Sequence, residues 1–241
     1  MFQVRLARHP KLFKPLKAAK TALFLSTFIC HRSIMYKQLN KDSAKEFFEI
    51  YLSKKDLSLD WLQDRLKQDV SVDISDYHPD NLLPLWAWAR KKICTVQTPS
   101  ANDDMPMWYE YEVVNHPNRG GPPYFSQSSA QVIDSVAYYL GEVFIRSVSG
   151  TKWDIDPFPK SYYFCCPVIL GDHFEQYPIQ FVLSAARESL RSKTNVSEQE
   201  QDSLLLKWYN SAIQDHLDYQ QAIAEDPGMA DPRMNRRIKF K

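Results

Sequence analysis

Apolar side chains along this 241-residue chain recur mainly at helical spacing. Ser43-Ala44-Lys45-Glu46 has the form of a capping box, and Phe47, Phe48, Tyr51 and Leu52 follow it on one stripe, so a helix is expected to open at Ser43. Leu59, Leu62 and Leu66, with Trp61 beside them, predict a second helix over 57–68. Val70, Val72 and Ile74 then alternate with Ser71, Asp73 and Ser75, the pattern of a short half-exposed strand or extended link. Leu82, Leu85, Trp86 and Ala89 place a third helix over 81–93, with Arg90-Lys91-Lys92 near its end, where cations suit the helix dipole. The longest apolar face, Val132, Ile133, Val136, Leu140, Val143 and Phe144, predicts a helix over 128–148. Gly141 inside it costs about 1 kcal/mol relative to alanine, so another element is expected to approach closely there.

The remaining segments are shorter. Residues 95–107 and 116–123 (HPNRGGPP) read as loops, and 108–114 as a strand or helical turn. Residues 153–155 and 162–170 read as two strands of a hairpin, with Cys165-Cys166 on the second strand and their side chains on opposite faces. Ile179, Phe181, Val182, Ala185, Ala186 and Leu190 predict a helix over 176–192. A second capping box, Ser197-Glu198-Gln199-Glu200, opens one long helix to Glu225, and Asp226-Pro227-Gly228 stops it. The expected fold is α+β, mostly helical, with a small antiparallel sheet or hairpin. A single domain over 35–225 is expected, between a basic and apolar extension at 1–34 and a basic disordered tail at 226–241.

Charge sharpens this picture. The net charge of +1 hides a segregation: residues 1–41 hold nine Lys/Arg and no acid, while 42–225 hold 16 Lys/Arg and 27 Asp/Glu, a net −11. An acidic body repels nucleic-acid backbones and steers basic partners towards it, so a protein partner is expected and nucleic acid is not. Basic residues up to Lys20 precede an apolar run at 21–30 that is too short to span a bilayer and has no small-x-small site after it. Three readings of 1–34 stay open: upstream sequence before a start at Met35, targeting or peripheral membrane contact, and an ordered basic helix.

Candidate chemistry is sparse. The six histidines share no metal-ligand spacing and the four cysteines form no C-x-x-C, so neither a metal nor a cofactor is expected. Cys165 and Cys166 read as small core residues; a cysteine nucleophile helped by His173 would need a lowered thiol pKa that nothing local provides. Asp56, Asp60 and Asp64 recur every four residues, and Asp69, Asp73, Asp76 and Asp80 continue the series. They make either a solvated helix face or an acidic recognition surface. His116 and Arg119 are interaction candidates on their loop. Glu142 lies four residues before Arg146, which allows an i,i+4 ion pair. The other account sets Glu142 against Trp153 and the tyrosine-rich strand as a polar site, with Tyr138 and Tyr162 completing an aromatic pocket.

The stretch Ile133-Asp134-Ser135-Val136-Ala137-Tyr138-Tyr139-Leu140-Gly141-Glu142, followed by Gly150 and Trp153, resembles uncharacterised bacterial domain families in which a Y-L-G-E helix precedes a Gly/Trp hairpin. Some of these resemble immunity proteins of polymorphic toxin systems. The likeness covers residues 110–170 and implies a binding role without naming a site. The expectation is therefore a cytoplasmic bacterial protein, not an enzyme, that binds and neutralises a basic toxin through Asp60, Asp64 and Asp73. The alternative is a small-molecule-binding or hydrolytic enzyme with Glu142, Trp153 and Tyr138 around its pocket.

Overall fold

The computed structural model describes residues 39–100, 105–114, 121–161, 163–191 and 196–226. Helix α1 (Lys41–Ser53) starts ahead of the expected box at Ser43, because the Asn40 side chain accepts the Ser43 N–H at 2.9 Å and caps the turn itself. Helix α2 (Lys55–Val70) follows across Lys54 alone and buries Leu59, Leu62 and Leu66. It ends at Ser71 in the left-handed conformation, φ 57°. Of the two readings of 70–75, the strand is not realised: Val70 closes α2, and the rest is an irregular link with no partner strand among the described residues. Ile74 is the buried side chain of that link, its N–H held by the Gln63 side chain at 3.0 Å.

A 3-10 turn (Pro79–Asn81) leads into α3 (Leu82–Lys92), which buries Leu82, Leu85, Trp86, Trp88 and Ala89. The segment read as a loop from 95 begins as strand β1 (Thr95–Val96), paired antiparallel with β2 (Tyr124–Phe125). Of the two readings of 108–114, the helical turn is observed, as a π-turn at Glu110–Val114. Helix α4 (Gln127–Ser147) is capped by Ser126 and buried over 129–130, 132–141 and 143–144, with neighbours on nearly every side. Helices α2 and α3 pack on it from earlier in the chain.

Strands β3 (Lys152–Ile155), β4 (Pro167–Gly171) and β5 (Phe174–Gln176) form an antiparallel sheet in that order, with Trp153 opposite Ile169 and Ile169 opposite Gln176. The second strand starts at Pro167, not 162. Before it the chain makes local turns, with Cys166 N–H on the Tyr163 carbonyl at 2.8 Å and Cys165 left-handed at φ 72°. Cys165 and Cys166 are therefore both buried in that turn and do not alternate across a strand. Gln176, expected to open a helix, ends β5 instead. Helix α5 (Pro178–Arg191) follows and packs on α4. The long final helix is broken at Ser203 into α6 (Glu198–Asp202) and α7 (Leu204–Glu225). The Ser197–Glu200 capping box forms both of its bonds. Arg90 of α3 ties down the short helix through Asp202 and, at 3.1 Å, Glu198.

The architecture is thus mostly helical α+β, as the pattern of the sequence predicts, with two small antiparallel sheets among the described residues where one sheet or hairpin was expected. Among the described residues no helix is long and apolar enough to cross a membrane. The expectations for residues 1–34, His116, Arg119, Tyr162 and the tail beyond Asp226 lie outside the described residues.

Candidate functional site

Helix α2 carries the acidic series, and its inward leucine stripe decides which acids face water. Asp60 and Asp64 project from the exposed side, and among the described residues neither carboxylate takes part in a hydrogen bond or ion pair. Leu57, 76% exposed, and half-buried Trp61 share their face at i, i+3, i+4, i+7 spacing. The Arg65 guanidinium lies 5.9 Å from the Trp61 ring. Leu57 was absent from the sequence reading because the same periodicity that marks the buried stripe leaves it off that stripe.

Asp73 does a different job. It sits in the link after α2, where its Oδ1 accepts the Ser75 N–H at 2.8 Å and the Gln63 amide at 2.9 Å. Those bonds, Ser75 first, lower its carboxyl to about 2. Its second oxygen lies 3.8 Å from Lys67 Nζ. Asp73 is therefore committed to shaping the link. Asp69 is likewise engaged, holding Lys92 Nζ at 2.8 Å and the Trp88 indole N–H at 2.9 Å.

Glu142, Trp153 and Tyr138 do converge. The two accounts of Glu142 turn out to describe one arrangement: Oε1 accepts Lys55 Nζ at 2.8 Å and the Trp153 indole N–H at 3.1 Å, and Oε2 lies 3.8 Å from Arg146 Nη1. One carboxylate thereby clamps α2, α4 and β3 together. The Trp153 ring lies directly on Gly141, where a Cβ would stand 2.1 Å from its Cζ2 atom, so the close approach expected there is real. Tyr51, Tyr138 and Trp153 form an aromatic cluster, with centroids 4.6 Å apart for the tyrosine pair and 5.8 and 6.1 Å from each to the tryptophan. The Tyr138 hydroxyl donates to the Tyr51 carbonyl at 2.7 Å. Chemically this is a packed joint: the carboxylate meets two cations and an N–H.

A second polar group was missed by sequence reasoning. Around buried Cys166 lie Glu112 of the π-turn, Asp156 at the end of β3, Tyr177, and Gln180 of α5. The Tyr177 hydroxyl donates to Asp156 Oδ2 at 2.8 Å and also meets the Glu175 carboxylate. On the neighbouring face of α4, Asp134 accepts the Trp108 indole N–H at 2.6 Å, and burial pushes its carboxyl up to about 7. Burial, then the charge of Asp156, pushes the Cys165 thiol up to about 11. The Cys166 thiol is raised further by burial and by Glu112 and Asp156, so both stay protonated at neutral pH. His173 lies in the β4–β5 turn, its carbonyl 3.2 Å from His216 Nδ1. Among the described residues no three His, Cys, Asp or Glu side chains are placed to hold a metal ion.

In class, then, the chain is a mostly helical α+β protein with an acidic, partly apolar helix face and an enclosed polar centre. No family model, curated protein or solved structure matches it.

Proposed function

We propose that the chain is a protein-binding module whose α2 face docks a basic partner, in the manner of an immunity protein neutralising a basic toxin. The observation that carries this reading is the face itself. Asp60 and Asp64, two carboxylates that make no hydrogen bond or ion pair among the described residues, flank Leu57, which is 76% exposed. A buried apolar anchor ringed by charges is how interfaces divide affinity from steering. The −11 balance over 42–225 supplies long-range attraction of the matching sign. Such a role belongs in the cytoplasm, beside a toxin's intracellular target.

The test is a pull-down with the full chain at low and high salt, followed by calorimetry on the basic protein recovered. Charge reversal in D60K/D64K should weaken its Kd by about tenfold or more and flatten the salt dependence. Leu57→Asp should weaken it comparably with less effect on the salt slope. Unchanged affinity in both variants would remove the α2 face as the docking surface.

A further inference from the structure

A cavity of about 10 Å³, room for one water-sized group, lies next to Cys166 between the π-turn, the turn before β4 and the start of α5. Tyr51, Trp108, Tyr163 and Tyr177 wall it with aromatic rings, and Gln180, 8% exposed, lines it from α5. The Gln180 amide carries the inference. Both Nε2 and Oε1 are enclosed, and neither has a hydrogen-bond partner among the described residues. Two polar groups of the walls are committed elsewhere. The Trp108 indole N–H is held by Asp134 at 2.6 Å, and the Tyr177 hydroxyl donates to Asp156 at 2.8 Å. A buried donor and a buried acceptor left unpaired each cost the fold their desolvation, so this amide calls for a group from outside the chain.

Size and hydrogen bonding together specify that group. The chamber admits a single small polar atom, which must accept from an N–H and also donate to a carbonyl oxygen. An ammonium only donates, a halide only accepts, and a metal cation meets only the oxygen. Nor do the surroundings select an ion. Glu112 brings a carboxylate to the lining, and Arg187 places its guanidinium beside the same residue, donating to the Glu112 main-chain carbonyl at 2.7 Å. A hydroxyl answers both ends of the amide: its oxygen accepts from Nε2 while its hydrogen is donated to Oε1, which closes a ring in the amide plane.

We propose that this chamber binds one neutral hydroxyl group, that of an ordered water or of a small alcohol. The oxygen sits against the Gln180 amide, and the rest of its surface rests on the aromatic walls. Tyr163 and Tyr177, with ring centroids 4.6 Å apart, are the half-buried residues of the lining. The group enters on their side, and the carbon of an alcohol points back towards them. This site does not depend on the α2 docking face, and either can fail alone.

The test uses the full chain, labelled with ¹⁵N, and reads the Gln180 side-chain amide by NMR. Water held in the chamber should give that amide a rotating-frame Overhauser cross-peak of dipolar sign, opposite to that of exchange. Methanol is then titrated in, with acetonitrile at equal volume as the probe that accepts without donating. Methanol that shifts the amide saturably and removes the water cross-peak, where acetonitrile does neither, assigns an alcohol site. A cross-peak that methanol leaves in place assigns the water. In oxygen-17 relaxation dispersion, Gln180→Met, which keeps the length and removes both polar atoms, should lose one long-lived water. The cross-peak is read in the unsubstituted chain, so it stands even where the methionine variant fails to fold. No water cross-peak together with methanol and acetonitrile acting alike, or a folded Gln180→Met that keeps every long-lived water, would overturn the proposal.

Discussion

Asp134 shows how much a single side chain sets at the residue scale. It occupies the buried side of α4, bonded by the Trp108 indole, and burial moves its carboxyl from 3.8 to about 7. An acid raised in this way holds its proton in the folded chain and loses it in the unfolded one between those two values. Its contribution to stability therefore falls as pH rises from about 4 to 7 and stays low above that. Asp134→Asn keeps an acceptor for Trp108 and removes the charge. It should stabilise the chain on the order of 3 kcal/mol at pH 8 and by much less at pH 5. Urea midpoints at the two pH values check this, and an equal gain at both would show that the carboxyl titrates normally. The acid was visible in the sequence as the one charge inside Ile133-Asp134-Ser135-Val136. Gln180 was not, because it sits between Ile179 and Phe181 at a position that periodicity assigns to solvent.

Elements meet at places where one of them has been cut back, and the joint between α4 and β3 is the clearest. Gly141 leaves room for the Trp153 ring, which then reaches Glu142. Gly141→Ala gains helix propensity worth about 1 kcal/mol but must displace the indole, for a net loss of about 2–3 kcal/mol. In a Trp153→Leu background the same change should become neutral or stabilising, as measured by a double-mutant cycle in urea. The same cost in both backgrounds would mean that the ring is not what excludes the methyl group. A glycine inside a strong helical pattern announced this contact, whereas its partner could be identified only once the sheet was in place. Strand β5 escaped notice for a related reason: three residues, Phe174–Gln176, are too few to show alternation, and its register comes from β4. The break at Ser203 was equally hidden, because the residues around it continue to favour helix and Arg90, which anchors α6, lies more than a hundred positions away.

At the scale of the whole molecule, the elements were legible because each rests on local periodicity, and the enclosed polar centre was not, because five separate segments contribute to it. The depth of burial can be tested chemically. Cys94 is exposed, whereas Cys165 and Cys166 are buried with their thiols raised. Brief alkylation at pH 8 followed by peptide mapping should label Cys94 and leave the vicinal pair untouched until urea is added. Early labelling of the pair would mean that the turn before β4 opens on its own. The burial of α4 on nearly every side also has a consequence for synthesis. Its covering arrives in two instalments: α2 and α3 emerge first, but the sheet and α5 have not yet emerged when Ser147 leaves the ribosome. At roughly 5–20 residues per second, the stretch from 148 to 191 takes several seconds to emerge. For that interval the nascent chain displays the uncovered side of α4 to its surroundings, and a waiting chaperone is the natural tenant.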